Sequence, residues 1–311
     1  MTGLIHVNTG IINGPTLQEI VAQFLSAQDV KQNSRNLYGR TLKQYFTWIN
    51  TRGYALAEIA RAEIIQYKED LLASGLSSLS VSSYITSVRK FYEWAETKKY
   101  YPNVARGVKG AKRKQQFRKQ PLLPEQATAL LSYCKENSPR DYAIVNLCLR
   151  TGLRTIEVIR ANVEDITYMS GKRVLKVQGK GRDEKDNFVK LTDKAYQPIE
   201  EYLRLRGKAK SGEPLFSSTS NNNQGGRLTT RTISKIVKDS LRAIGIDSRD
   251  ITAHSLRHTT AVNILRAGGT TENAQDVLRH TNISTTQIYT ATLNEERRLE
   301  GNAEELLDNV F

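Results

Sequence analysis

The sequence predicts a mainly α-helical protein with a small β-hairpin or sheet, an α+β fold arranged in two domains. Apolar residues recur at helical spacing over most of the chain, and only two short segments after residue 170 alternate as strands do. A third observation divides the chain. Residues 101–120 carry seven cations and no acid, together with Pro102, Gly107 and Gly110. We interpret this segment as an extended basic interdomain linker.

Residues 14–100 have the pattern of a helical bundle, which follows a flexible terminus at 1–13. Thr16 and Glu19 have the spacing of a capping box, which predicts that the first helix begins there. Three further helices are predicted at about 36–51, 62–74 and 78–97. Their aromatic stripes are assigned to the core of the bundle.

Residues 121–293 are predicted to form the catalytic domain. Helices are expected at about 124–134, 140–151, 194–206, 230–244, 255–267 and 272–278. Strands at 173–178 and 187–191 should form a hairpin, and 217–226 should be a loop. The tail, 294–311, is predicted to be an amphipathic helix that docks on a neighbouring subunit, with folding back onto its own subunit as the alternative. The prediction rests on apolar residues that would otherwise be exposed to water: Leu299, Leu306, Leu307, Val310 and Phe311.

The net charge of +14 on 311 residues indicates a polyanionic partner, and we favour nucleic acid. No run of 18 apolar residues and no signal peptide is evident, so we expect a cytoplasmic protein that joins the nucleoid when bound to DNA. Cys134 and Cys148 are expected to be buried free thiols. The linker cations are the candidate DNA-backbone contacts: Arg106, Lys109, Lys112, Arg113, Lys114, Arg118 and Lys119.

Transfer of a phosphodiester requires stabilisation of charge on two oxygens, an in-line nucleophile and a proton for the leaving oxygen. Arg154 and Arg257 suit the first requirement, because a guanidinium binds two phosphate oxygens. Lys180, between two glycines in the predicted hairpin turn, could reach a leaving 5′-oxygen and protonate it, although a lysine in a turn is equally explained as a plain surface charge.

Glu157 lies three residues after Arg154, the spacing at which two side chains meet on a helix, so its carboxylate could pair with Arg154 and hold its rotamer. The remaining candidates lie near the end of the second domain: His254, His280 and Tyr289. His254 and Arg257 share one face at the start of a helix, where the helix dipole favours anions. Tyr289 is the candidate nucleophile. His258 lies four residues after His254, but no third ligand accompanies this pair, so we expect no metal site.

These motifs resemble those of the tyrosine recombinases, or phage-type integrases, in the two-domain Xer-like form. The resemblance rests on Thr-Gly-Leu-Arg-x-x-Glu at 151–157, His-Ser-Leu-Arg-His at 254–258, Leu-Arg-His at 278–280 and Thr-Thr-Gln-Ile-Tyr at 285–289. The chain departs from the family at Arg279, where glycine is usual. The resemblance implies that residues 14–100 are a DNA-binding, core-binding domain and that residues 121–293 are the catalytic domain. It implies a 3′-phosphotyrosyl intermediate, a Holliday junction, no cofactor, and a tetramer on double-stranded DNA. It also suggests an accessory DNA-bending or directionality protein as a further partner.

Three functions fit these observations. The first is a site-specific recombinase that integrates or excises a mobile element or resolves dimers. The second is a type IB topoisomerase-like enzyme that relaxes DNA by similar chemistry. The third is a DNA-binding regulator without catalysis. The short linker, the small first domain and the apolar tail favour recombination over relaxation.

Overall fold

The computed structural model describes residues 15–112, 120–179, 181–207, 210–280, 289–290, 293–294, 298, 305–308 and 310. The chain divides into two compact units, 1–115 and 116–311. The helices are α1 (Leu17–Ser26), α2 (Gln32–Thr51), α3 (Arg61–Ala73), α4 (Ser78–Thr97), α5 (Pro124–Asn137), α6 (Pro139–Thr151), α7 (Thr155–Arg160), α8 (Asp193–Arg206), α9 (Thr230–Ala243), α10 (Ala253–Arg266) and α11 (Thr271–Leu278). The strands are β1 (Ile166–Met169), β2 (Lys172–Val177) and β3 (Asn187–Lys190).

The first unit is a bundle of α1 to α4. The capping box predicted for α1 is present, because Glu19 accepts from the Thr16 amide at 2.7 Å and Thr16 Oγ1 accepts from the Glu19 amide at 3.3 Å. Aromatic side chains fill the core, and the hydroxyls of Tyr45 on α2 and Tyr92 on α4 lie 2.9 Å apart. Assigning the aromatic stripes to the core is therefore confirmed.

The segment that follows α4 differs from the extended linker that its charge suggested. Tyr101, Ala105 and Val108 are buried in the core of the first unit. Arg106 is exposed and forms an ion pair with Glu96 at 2.6 Å. Burial of these spaced apolar residues outweighs the repulsion between the cations, so residues up to about 111 belong to the bundle. Arg113, Lys114, Arg118 and Lys119 lie outside the described residues.

The second unit contains α5 to α11 and a three-stranded antiparallel sheet in the order β1-β2-β3. The predicted hairpin is β2 and β3, with Leu175 opposite Val189. Strand β1 was not predicted; it pairs with β2 and places Ile166 opposite Leu175. It is four residues long and gives too little periodicity to be recognised in a sequence. The helical turn expected around Glu157 is α7, which begins directly after Arg154.

The core of this unit is continuous around α6, α8, α9 and β2, and it includes the two buried free thiols, Cys134 and Cys148. A smaller apolar cluster joins α10, α11 and the segment after residue 288; it contains Leu265, Leu278, Tyr289 and Leu293. Within the described part of the chain, no helix is long and apolar enough to cross a membrane. In the tail, Leu307 and Val310 are exposed, and most of the other residues lie outside the described ranges.

Candidate active site

Arg154 is positioned by the sharp turn between α6 and α7. Gly152 ends α6 in the left-handed region with φ of 61°. A Cβ at this position would lie only 2.5 Å from Cδ2 of Leu278, so the turn requires glycine for its conformation and for its space. Arg154 follows two residues later and is the residue before the first turn of α7.

Glu157 holds Arg154 in the way that the helical spacing predicted. Its Oε2 accepts from the Arg154 backbone amide at 2.8 Å, and its Oε1 accepts from the Arg154 guanidinium at 3.0 Å. The Glu157 side chain is 2% exposed, whereas that of Arg154 is 31% exposed. The guanidinium is therefore anchored at one edge and still accessible to a ligand.

Arg257 on α10 is buried and connects the ends of two other helices. Its guanidinium donates to the carbonyl oxygens of Gly152, after α6, and of Leu278, at the end of α11. Burial and the neighbouring Arg154 and Arg279 lower the pKa of Arg257 to about 9, against an opposite effect of Glu157. Arg257 therefore remains a cation at neutral pH.

Two histidines lie against Tyr289, and a third, His254, packs on one of them. The rings of His254 and His258 are 4.6 Å apart, and Nδ1 of His258 lies 2.7 Å from the hydroxyl of Tyr289. The ring of His280 is nearly parallel to that of Tyr289, with centroids 6.5 Å apart. We call Arg154, His254, Arg257, His280 and Tyr289 the cationic pocket.

The pKa values in this region reflect burial and crowding of positive charge. Burial, Arg257 and Arg154 lower the pKa of His254. Burial and the same two arginines lower that of His280 to about 4. Burial raises the pKa of Tyr289 to about 12, while Arg257 and Arg154 act in the opposite direction. A bound anion would relieve the repulsion between Arg154 and Arg257, so the electrostatics favour a phosphate ligand.

A cavity of about 460 Å³ lies beside the cationic pocket. Three helices begin at its wall: α7 at Thr155, α9 at Thr230 and α10 at Ala253. Arg154 and His254 also line it. Helix N-termini present unpaired amides and a partial positive charge. The cavity is therefore suited to an anionic backbone that passes next to Arg154.

The structure brings five of the six predicted catalytic residues, together with Glu157, into one region of the second unit. Lys180 lies outside the described residues. Its neighbour Gly179 lines a second cavity, of about 280 Å³, with Arg154, Glu157 and Arg279. Of the linker cations, Lys109 and Lys112 are exposed, and Arg106 is exposed in its pair with Glu96.

Sequence reasoning missed three contacts. His258, considered only as a metal ligand, forms a hydrogen bond with the candidate nucleophile. Among the residues that the structure describes, no group of three His, Cys, Asp or Glu side chains could hold a metal ion. Arg160 donates to the Gly179 carbonyl at 2.9 Å, next to Lys180. Arg279 forms an ion pair with Glu157 at 2.9 Å. Arg154, Glu157 and Arg160 follow one another at intervals of three residues, which places them on one helical face. This spacing was the sequence signal that Arg160 lies near the site.

Comparison with known proteins identifies the family of this chain. A model of the phage integrase family matches residues 120–296, and a model of the phage integrase N-terminal SAM-like domain matches residues 21–99. A tyrosine recombinase of Pseudothermotoga lettingae is 30% identical over 84% of this chain and 87% of its own. The tyrosine recombinase XerD of Vibrio vulnificus is 27% identical over 88% of this chain and 91% of its own.

Solved structures show the same fold. The XerH site-specific recombinase bound to a palindromic difH substrate superimposes with a TM-score of 0.73 and 17% identity, covering 94% of this chain and 86% of that one. A lambda integrase dimer bound to a COC′ core site gives a TM-score of 0.68 and 17% identity, covering 87% of this chain and 97% of that one.

The chain therefore belongs to the phage integrase family, the tyrosine recombinases. Members of this family are enzymes that transfer DNA strands. Both the predicted fold class and the predicted family are confirmed.

Proposed function

We propose that this protein recombines two specific sites in duplex DNA, with Tyr289 as the nucleophile. The observation that carries the proposal is one tyrosine whose hydroxyl lies 2.7 Å from His258 Nδ1, whose ring is stacked with that of His280 and whose pKa is raised by burial against the opposite effect of two neighbouring arginines, while His254 packs on His258. The scissile phosphate would bind between Arg154, which is partly exposed, and His254, beside the cavity where three helices begin.

In the cleavage step, the Tyr289 oxygen forms a bond to phosphorus and the bond from phosphorus to the 5′-oxygen breaks. The products are a 3′-phosphotyrosyl bond and a free 5′-hydroxyl, with Lys180 as the donor of the proton that the 5′-oxygen takes up. Arg154 and Arg257 stabilise the charge that develops on the non-bridging oxygens. Rejoining reverses these steps with the 5′-hydroxyl of another strand. The number of phosphodiester bonds is conserved, so the reaction needs no energy-rich cofactor.

The phenolic proton must leave before or during attack, because burial keeps Tyr289 protonated at neutral pH. His258 lies at hydrogen-bonding distance, but burial and the adjacent His254 and Arg257 lower its pKa to about 3. A phosphate in the pocket would offset part of this positive charge and raise the basicity of His258. DNA binding would in this way promote deprotonation of the nucleophile.

The assembly and the biological role belong to the same proposal. One solved relative in fold is a lambda integrase tetramer bound to a Holliday junction. We infer that this chain also acts as a tetramer on two paired sites, through a Holliday junction. Its role would be integration or excision of a mobile element, or resolution of dimers.

Formation of a covalent adduct on a nicked suicide substrate tests the chemistry. The target sequence would first be recovered by selecting bound duplexes from DNA that flanks the gene. Wild-type protein should form an adduct that resists denaturation, and Tyr289→Phe should bind the DNA but form none. Tyr202→Phe is a matched control, because Tyr202 is also buried in the second unit but bonds to Ser217 at 3.0 Å, outside the cationic pocket.

Three results would contradict the proposal. An adduct formed by Tyr289→Phe at the wild-type level would assign the nucleophile elsewhere. Binding without any adduct in the wild-type protein would favour a DNA-binding regulator. Relaxation of plasmids that lack the target site would favour the topoisomerase-like alternative over site-specific recombination.

A further inference from the structure

Arg279 occupies a backbone conformation that most side chains avoid. It follows α11 with φ of 55° and ψ of 46°, in the left-handed region. An L-residue there places its Cβ close to the following carbonyl, so glycine is the favoured residue. The chain instead has an arginine, whose side-chain contacts must compensate for this conformation.

Arg279 forms an ion pair with Glu157 and also donates to two backbone carbonyls. Its Nη2 donates to Glu157 Oε2 at 2.9 Å, and its Nη1 donates to the carbonyl oxygens of Val277 at 2.8 Å and Thr151 at 3.5 Å. The side chains of Arg279 and Glu157 are 8% and 2% exposed. Because the pair is largely shielded from water, its electrostatic interaction is stronger than that of a surface ion pair.

Glu157 also holds Arg154, so the three side chains form one chain of contacts. Oε1 of Glu157 binds the Arg154 guanidinium, while Oε2 receives both the Arg154 amide and Arg279. Without Arg279, the Glu157 carboxylate would offset the charge of Arg154, and only the charge of Arg257 would remain uncompensated. With Arg279, these three side chains carry two cations and one anion, so they add a net charge of +1 to that of Arg257.

We propose that Arg279 is a positioning residue for DNA cleavage, which acts through Glu157 to orient Arg154 and to preserve the positive charge of Arg154 for the scissile phosphate. The inference rests on the proposed function. Arg279 does not itself touch the reacting atoms in this account.

The first test compares Arg279→Gly and Arg279→Lys with wild-type protein in the suicide-substrate assay. Glycine is unstrained at this φ, which offsets part of the stability lost with the ion pair, so the melting temperature of each variant is measured and cleavage is compared well below it. The affinity of Arg279→Gly for DNA should stay close to that of wild type while its cleavage rate falls by about 10- to 100-fold, the loss seen when a supporting partner of a metal ligand is removed. Arg279→Lys should restore part of the rate. Arg206→Gln is the matched control; it removes a partly buried ion pair with Glu213, and its cleavage rate should stay at the wild-type level.

The second measurement uses DNA with a methylphosphonate at the scissile position, which removes one negative charge. If Arg279 preserves charge at Arg154, the defect of Arg279→Gly should shrink on this substrate. Combining Arg279→Gly with Glu157→Gln should slow cleavage no further than the worse single variant, because both act through one carboxylate.

Three results would overturn the inference: wild-type cleavage by Arg279→Gly, an equal loss on both substrates, or multiplying losses in the double variant. Absence of an adduct in the wild-type protein would instead refute the proposed function, so the two failures are distinguishable.

Discussion

Lowering the pH should destabilise the second unit through His258. This side chain is 5% exposed, and burial with His254 and Arg257 nearby lowers the pKa of its imidazole to about 3. In the unfolded chain its pKa is about 6.5. Between these two values the unfolded state binds the proton and the folded state does not, so the free energy of unfolding falls as the pH falls.

The size of the effect follows from this difference. From pH 6.5 to pH 4.5 the proton bound by the unfolded chain costs about 2 kcal/mol of stability, at up to about 1.4 kcal/mol for each pH unit. The result changes little if the folded pKa is 4 rather than 3, because the folded imidazole stays mostly neutral at pH 4.5 in both cases. Stability should be insensitive to this group above about pH 7.

Urea unfolding of wild-type protein and His258→Asn at several pH values would measure it. Asparagine keeps a polar atom near the position of Nδ1 but has no proton to gain. Both tryptophans, Trp48 and Trp94, lie in the first unit, and no histidine is found among residues 15–115. Tryptophan fluorescence therefore reports the unfolding of the first unit, which serves as an internal control. Circular dichroism reports the loss of helix in both units, including the second.

The decisive quantity is the difference between the two proteins. The loss of stability from pH 6.5 to pH 4.5 should be about 2 kcal/mol smaller in His258→Asn than in wild type. Other titrating groups contribute almost equally to both and cancel. Equal losses within about 0.5 kcal/mol, the usual limit of additivity, would show that His258 is not held neutral by burial.

Three further predictions concern the reaction and its DNA. A substrate with a 5′-bridging phosphorothiolate needs no proton for its leaving sulfur, so it should restore cleavage to Lys180→Ala but not to Arg257→Ala; equal failure of both variants would exclude Lys180 as the acid. Replacing Lys112, Arg113 and Lys114 with alanine should weaken binding to target and random duplexes alike. It should also make the slope of log affinity against log salt shallower by up to about 3. A loss of affinity confined to the target would mean that these residues read bases. Deleting residues 297–311 should spare binding to a half-site but reduce tetramers and strand exchange, as judged by native gels and a recombination assay; full activity of the truncated protein would show that the tail does not couple subunits.

The predicted elements match the structure best where a local signal is strong. The fourth helix was predicted at 78–97 and is α4, Ser78–Thr97, because its apolar spacing persists over five turns. The first helix begins at its capping box. By contrast, β1 is four residues long and forms a strand because it pairs with β2, and no local sequence pattern reveals that pairing.

The sequence by itself determined the family, the order of the helices and the chemical types at the candidate site, because short motifs place Arg154, His254, Arg257, His280 and Tyr289 in recognisable local contexts. Only the tertiary structure decided which atoms meet. The hydrogen bond between His258 and Tyr289 and the ion pair of Arg279 with Glu157 join residues 31 and 122 positions apart, respectively. The same folding buries Tyr101, Ala105 and Val108 in the first unit although the segment around them is strongly cationic. Local patterns record propensity and charge, whereas burial and long-range contacts depend on how distant segments pack together.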